Sequence, residues 1–307
     1  MGRGWSKTVF SSVDNVSLEI RRGETLGLVG ESGSGKSTLG RCLLKLIDWD
    51  SGDVQYQGLS LKTLRGRDLR RIRPKIQMIF QDPMACLNPR LSVRAMLEEP
   101  IMVHRLATTY RECRQRVESL ADLVGLRPDQ LDRYPHEFSG GQRQRIGIAR
   151  AVACQPDFIV CDEPVSSLDV SIQAQILNLL KDVQTRLGIT YLFISHDLRV
   201  VQYMSHQIAV MYLGKIVETA KSTDFFASPQ HPYSQMLLRS VPDVDRKTEW
   251  GDGNFGEPPE LSRLPRGCSF HPRCAIAQPR CLIEVPRLEP STTEPNSHAS
   301  CFFPGRR

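Results

Sequence analysis

The stretch GESGSGKST, from Gly30 to Thr38, is where the fold declares itself. Gly30 and Gly35 bracket four residues ahead of Lys36 and Ser37, which gives the spacing G-x-x-x-x-G-K-[ST]. After Glu31, the small residues Ser32, Gly33, Ser34 and Gly35 let successive backbone N–H groups turn inward around phosphate oxygens. The N-terminal dipole of a following helix adds to that attraction. In such a loop Lys36 neutralises the β- and γ-phosphates and the Ser37 hydroxyl ligates Mg²⁺. Upstream, ETLGLVG (Glu24 to Gly30) reads as a short apolar strand. Downstream, STLGRCLLKLI (Ser37 to Ile47) places Leu39, Leu43, Leu44 and Ile47 on one side of a helix. Strand, glycine loop and helix together predict a site for a nucleoside triphosphate. Many enzyme classes carry such a loop, so what the nucleotide drives must be read elsewhere in the chain.

Composition narrows the choice. A chain of 307 residues, 40% of them hydrophobic, can bury one full domain core with chain to spare. No run of 18 or more apolar residues is present, so no membrane-spanning helix is expected. The opening MGRGWSKTVF lacks the apolar stretch of a secretory signal, and a cytoplasmic location is expected. The net charge of +6 is modest for this length. Its densest basic run, RGRDLRRIRPK (Arg65 to Lys75), reads as a solvated face. No zinc-finger spacing or stacking-aromatic motif accompanies it, and nucleic acid is not an expected partner. Nine cysteines, an odd number, argue against a disulfide scaffold.

From Ser11 to about Leu238 the chain alternates strand-like and helix-like segments. DFIVCDEP and ITYLFISHD are continuous apolar runs, the pattern of parallel strands covered on both faces. Between Ser92 and Arg150, VRAMLEEPIMVHRL and RVESLADLVGL show helical periodicity without a strand signal. After Val241 the texture changes, and residues 243–307 hold nine of the twenty prolines. That region is expected to be an extended appendage without regular strand or helix. The expected division is a nucleotide-binding domain over 1–240, a helical subdomain over about 88–150 inside it, and an extension over 241–307.

Two further motifs bear on chemistry. In FIVCDEP (Phe158 to Pro164) an apolar strand delivers Asp162 to its C-terminal edge, where open α/β sheets bind ligands. Asp162 can hold Mg²⁺ through water, and Glu163, one position on, can polarise an attacking water. In FSGGQRQRIGIARA (Phe138 to Ala151), Ser139 reads as a helix N-cap, and Gly140 and Gly141 open the backbone at the helix start. This is a second anion-binding helix terminus. One nucleotide has a single γ-phosphate, so the second terminus invites a second copy or a sister subunit.

Taken in order, these motifs resemble the ATP-binding subunits of ABC transporters. Gly30–Thr38 resembles the Walker A loop and Gln81, in IFQDP, the Q-loop glutamine. Ser139, Gly140, Gly141 and Gln142 resemble the signature motif, with Phe138 where leucine is more usual. Phe158–Glu163 resembles Walker B with its glutamate, SSLD (Ser166 to Asp169) the D-loop, and His196, in ISHD, the switch histidine. The resemblance implies an α/β P-loop NTPase core of ABC type with a helical subdomain and a Cys/Pro-rich C-terminal extension. It implies a head-to-tail sandwich of two such domains with ATP and Mg²⁺ at the interface, each nucleotide clasped by one chain's loop and the other's signature helix. Glu163 would be the general base, His196 would contact the γ-phosphate, and Gln81 would sense Mg²⁺ and the membrane partner.

QDPMACLNPRLSV (Gln81 to Val93), SPQHPYSQMLL (Ser228 to Leu238) and the cysteine-rich tail resemble the oligopeptide/dipeptide permease ATPases more narrowly. That implies import of di- or oligopeptides at the cytoplasmic face of the inner membrane. The implied partners are a second, nonidentical ATPase subunit, two permease subunits and an extracytoplasmic solute-binding protein. Nickel and glutathione importers share much of the pattern and remain an alternative cargo assignment. A DNA-repair or chromosome ATPase would need a very long coiled-coil insertion between Lys36 and Ser139, which the chain does not have.

Cys268, Cys274, Cys281 and Cys301 in a tail with little core of its own suggest a tetrathiolate site, for a [4Fe–4S] cluster or Zn²⁺. The lack of a C-x2-C knuckle weighs against ordinary zinc, and free thiols are the third reading. His271 and His298 are possible substitute ligands. Relatives of this type carry an additional strand ahead of the region equivalent to Val13–Ile20. Only a dozen residues precede it here, so the strand is expected to be absent or the start late. Trp5 and Phe10 are the candidates for stacking on adenine.

Overall fold

The computed structural model describes residues 11–240, 256–257, 259–260, 263–291, 294 and 296–306. Strand β1 (Thr25–Val29) is buried at every position and runs into the glycine loop, which α1 (Lys36–Leu43) follows. Next come a two-stranded ribbon, β2 (Gln55–Tyr56) and β3 (Leu59–Ser60), then α2 (Gly66–Ile72), β4 (Ile76–Ile79) and α3 (Pro83–Cys86). Three helices follow, α4 (Val93–Val103), α5 (Tyr110–Val124) and α6 (Gly140–Val152). Strand and helix then alternate through β5 (Phe158–Asp162), α7 (Val170–Leu187), β6 (Thr190–Ile194), α8 (Leu198–Met204), β7 (Gln207–Tyr212) and β8 (Lys215–Lys221). The series ends with α9 (Ser222–Ala227), α10 (Pro232–Arg239), β9 (Glu289–Pro290) and β10 (His298–Ala299).

The chain forms two compact units. The first comprises Ile20–Leu26 and Gly40–Ser195. Here β4, β5 and β6 run parallel, with Ile76 opposite Phe158 and Phe158 opposite Thr190. Strand β6 is buried throughout, as its unbroken apolar run requires. The amide of Tyr191 donates to the Glu24 carbonyl, and the Gln184 side chain donates to Thr25 Oγ1 and the Ile189 carbonyl. A buried amide side chain thus satisfies polar groups that the strand ends leave over. Helix α6 packs against α3, α4, α5, α7 and β4. Thr109 caps α5 and Gly125 ends it in the left-handed conformation, so this helix is bounded by local chemistry.

The sequence predicts α1 as far as Ile47, but it ends at Leu43. Lys45 takes a positive φ of 53°, and the amides of Lys45 and Leu46 fold back to the carbonyls of Cys42 and Arg41. The guanidinium of Arg73 then takes the carbonyls of Leu44 and Lys45, at 2.7 and 3.0 Å. A cation on the last carbonyls stops the helix where periodicity alone would continue it. The rest of the basic run behaves as expected, for α2 has no buried residue.

The second unit comprises the described residues up to Glu19, Gly27–Leu39 and the described residues from His196 onward. Strands β7 and β8 pair antiparallel, with an irregularity between Val210 and Met211. The proline-rich tail is not a structureless appendage, which corrects the sequence expectation. β10 pairs antiparallel with β8, and β9 pairs with β10. Pro290 lies on the outermost of these strands, where a missing N–H costs no ladder bond, and the added strands cover an edge that β8 would otherwise expose. The tail also plants Phe270, 2% exposed, against Tyr212 and Tyr233 with ring centroids 5.3 and 5.5 Å apart.

Candidate functional site

In the second unit the glycine loop is shaped by close backbone approach. Gly30 (φ +151°) and Gly35 (φ +103°) occupy conformations that side chains disfavour. A Cβ on Gly30 would lie 2.1 Å from the Met211 carbonyl oxygen, and one on Gly35 would lie 2.2 Å from that of Ser12. The loop is further tied by the amide of Gly214, which donates to the Ser34 carbonyl. Lys36 is buried, and its ammonium donates to the carbonyls of Gly30 and Glu31 at 2.8 and 2.9 Å and to Ser34 Oγ at 3.4 Å. A desolvated ammonium in the first turn of a helix is suited to a polyanion. Ser32 and Gly33 are exposed, and Ser37 and Thr38 are half-buried in the first turn of α1. His196, also of this unit, is exposed just ahead of α8, whose first amides are capped by Asp197.

In the first unit, β5 ends at Asp162, which is 5% exposed. Glu163 follows with φ +46°, unusual for a side-chain-bearing residue, while its amide donates to the Ile194 carbonyl and its carbonyl accepts from Ser166 Oγ. This turn brings the Glu163 carboxylate within 3.1 Å of Gln81 Nε2, although 82 residues separate them. Strained backbone held by surrounding bonds is a feature of functional sites. Ser139 caps α6, with Ser139 Oγ accepting from the Gln142 amide and Gln142 Oε1 accepting from the Ser139 amide. Gly140 is exposed and Gly141 half-buried. A Cβ on Gly141 would come within 2.5 Å of Ile172, so this helix start lies close against α7. Phe138 is buried, filling its place as leucine would. Asp169 is exposed at the N-cap of α7 without a side-chain capping bond.

A groove of about 320 Å³ lies in the same unit beside Gln81, lined by Phe80, Pro83, Leu87, Pro100, His104 and Arg150 among others. Burial holds the His104 imidazole below its ordinary range, with Arg70 adding to the effect.

The tail cysteines meet in the second unit. Cys268, Cys274, Cys281 and Cys301 all line one small cavity with Phe270, His271 and Phe303. All nine cysteines are free of disulfides. The Phe303 amide donates to Cys301 Sγ at 3.3 Å, and the His271 amide donates to the Cys268 carbonyl. Burial raises the Cys268, Cys274 and Cys301 thiols above their ordinary value, Cys301 to about 11. Among the described residues, no group of three or more His, Cys, Asp or Glu side chains stands at metal-holding spacing. His298 lies on β10, outside the cavity lining. Trp5 and Phe10 lie outside the described residues.

Sequence reasoning missed two residues that touch the glycine loop. Tyr233 Oη accepts from the Glu31 amide at 2.8 Å, and Arg273 meets the Glu31 carboxylate through two bonds of 2.8 Å. Both belong to stretches that stand out in the sequence, HPYSQMLL and SFHPRC. Their target is 202 and 242 residues away, and no local pattern encodes it.

Comparison with known proteins gives the family. Residues 13–166 match the ABC transporter family model, and residues 217–281 match the oligopeptide/dipeptide transporter C-terminal region. A putative peptide import ATP-binding protein of Brucella ovis is 51% identical over 278 residues, covering 90% of this chain and 87% of that one. The putative oligopeptide transport ATP-binding protein YkfD of Bacillus subtilis is 48% identical over 300 residues, 97% of this chain and 91% of its own. Among solved structures, the dimeric post-hydrolysis state of the ATP-binding cassette MJ0796 bound to ADP and Pi superposes with a TM-score of 0.65 at 30% identity, covering 72% of this chain and 94% of that one. The α/β fold of ABC type and the family resemblance read from the sequence are thereby borne out. With its buried lysine in the glycine loop, its strand-end carboxylates and these matches, the chain belongs to the ABC transporter ATP-binding family and carries the C-terminal region of its oligopeptide/dipeptide branch.

Proposed function

We propose that this chain is the ATP-hydrolysing subunit that energises import of di- and oligopeptides through a separate membrane permease. The names borne by its relatives support the cargo class. The observation that carries the coupling of hydrolysis to a partner is the 3.1 Å bond from Gln81 to Glu163. Glu163 is the proposed general base for the attacking water, and Gln81 holds its carboxylate. The segment around Gln81 also borders the groove beside α3, through Phe80, Pro83 and Leu87. A permease element seated in that groove would therefore be felt at Gln81 and passed to the base.

Each remaining role follows from the chemistry of the side chain. Lys36 exchanges loop carbonyls for β- and γ-phosphate oxygens. Ser37 in one unit, and Asp162 in the other, each carry a hard oxygen of the kind Mg²⁺ takes, and the ion when bound would neutralise developing phosphate charge. His196 contacts the γ-phosphate. The Ser139–Gln142 helix start is offered to the nucleotide of a second, nonidentical ATPase subunit, and the assembly is completed by two permease subunits and a solute-binding protein. Among the described residues no helix is long and apolar enough to cross a membrane, in keeping with a peripheral subunit on the cytoplasmic face.

The four tail thiols that line one cavity are the candidate ligands of a [4Fe–4S] cluster, with Zn²⁺ as the alternative, although among the described residues they do not stand at metal-holding spacing. Cys268, Cys274, Cys281 and Cys301 would hold it, and when bound it would cross-link the tail. Iron and sulfide assays on anaerobically purified protein test this, and finding neither iron nor zinc removes it.

For the ATPase reading, Glu163→Gln is expected to keep ATP binding while hydrolysis falls by roughly 10²–10⁴-fold. Undiminished turnover would remove Glu163 from its role. Uptake of labelled peptide by vesicles holding the permease, with nickel and glutathione as competing cargo, decides the substrate class.

A further inference from the structure

Glu31 is an odd residue for a phosphate loop, because an unpaired carboxylate beside a triphosphate repels it. Every polar part of Glu31 is nevertheless engaged. Its amide donates to Tyr233 Oη, its carbonyl accepts from Lys36 Nζ, and its carboxylate receives both prongs of the Arg273 guanidinium. Arg273 is held as firmly in turn. Its side chain is 6% exposed, its Nη2 approaches Met236 Sδ at 3.7 Å, and its guanidinium lies 5.9 and 5.8 Å from the rings of Tyr212 and Phe270. A planar fork on a carboxylate fixes orientation as well as charge, which an ammonium cannot reproduce. Arg273 is carried by the short turn His271–Arg273, immediately ahead of Cys274, whose amide donates to the His271 carbonyl.

We propose that Arg273 is a positioning residue for the phosphate loop. By committing the Glu31 carboxylate to a cation it removes a repulsive charge from the nucleotide and fixes the loop's second residue, so ATP affinity depends on correct docking of the C-terminal region. This rests on the reading of Gly30–Thr38 as the nucleotide loop. The position of Cys274 makes the cysteine-lined turn the mechanical support of the clamp.

The test uses the full chain and a non-hydrolysable ATP analogue with Mg²⁺, with affinity read by calorimetry and folding by the unfolding midpoint without nucleotide. Arg273→Met is expected to weaken binding about tenfold through the freed carboxylate. Adding Glu31→Gln to Arg273→Met should restore affinity to within about threefold of the native protein, because the repulsive charge is then gone. A merely structural Arg273 predicts no such rescue. Arg273→Lys, which keeps the charge and loses the fork, should fall between. If Arg273→Met does not fold, Arg273→Gln with and without Glu31→Gln carries the same comparison. Native-like binding by Arg273→Met, or a double variant as weak as the single, overturns the proposal. Lys36→Ala separates the two levels. If it loses binding while Arg273→Met does not, this inference fails alone. If it binds like the native protein, the loop reading and the inference fall together.

Discussion

The glycine loop and the cysteine-bearing tail lie in one unit and hold their shapes by opposite means. The loop is made of backbone. Three of its nine consecutive residues are glycines with positive φ, and at two of them, Gly30 and Gly35, a facing carbonyl leaves no room for a Cβ. The tail has little regular structure and is made of side chains. Phe270 is buried under two tyrosines, Arg273 is forked onto Glu31, and Ser291 Oγ donates to Gln230 Oε1. A loop built from its own backbone can be read in a short window of sequence. A tail built from side chains depends on a surface supplied by residues far away.

That contrast can be broken from either side. The largest effect is expected in the tail, where Phe270→Ala removes a buried ring and should cost roughly 3–5 kcal/mol, read as a lower unfolding midpoint. In the loop a backbone lesion should do comparable harm. Gly35→Ala forces a Cβ toward the Ser12 carbonyl at a φ of +103° and is expected to cost roughly 3 kcal/mol. A Gly35→Ala protein as stable as the native one would show that the loop is not backbone-limited.

The stretch that leads into α10 offers a pH test. His231 is buried, and burial drops its imidazole from 6.5 to about 3. Below pH 6.5 the unfolded chain takes a proton that the folded chain refuses. The stability present above pH 6.5 is therefore lost as pH falls toward 3, at about 1.4 kcal/mol per unit. His231 Nδ1 accepts from the Tyr233 amide, and His231→Asn keeps an acceptor there while abolishing the titration. Between pH 6.5 and 5 the native protein should lose about 2 kcal/mol more than the variant in urea unfolding. Equal pH slopes would show that this histidine does not titrate as placed. The smallest effect is expected at Gly33, where φ is +79° but nothing lies within 4 Å of an added Cβ. Gly33→Ala should cost about 1 kcal/mol of strain.

Much of the fold was legible because it is local. Continuous apolar runs at Thr25–Val29, Phe158–Asp162 and Thr190–Ile194 became buried strands, since a strand covered on both faces leaves no polar alternation. Ser139 announced the start of α6 because an N-cap acts within three residues. The end of α1 was not legible, since Arg73 caps it from 28 residues away. The tail strands escaped the reading because proline content is a local property, whereas the open edge of β8 that they cover is supplied by other residues.

The sequence alone determined the alternation of strands and helices as far as about Leu238, the glycine loop with its lysine, the carboxylates at the end of β5 and the four cysteines of the tail. Tertiary structure decided which side chain answers which. It paired Gln81 with Glu163, brought four cysteines spread over the tail to one cavity, and set Arg273 on Glu31. The physical reason is range. Backbone conformation and capping are settled between neighbours a few residues apart, whereas hydrogen bonds and ion pairs between distant side chains exist only once the chain has packed.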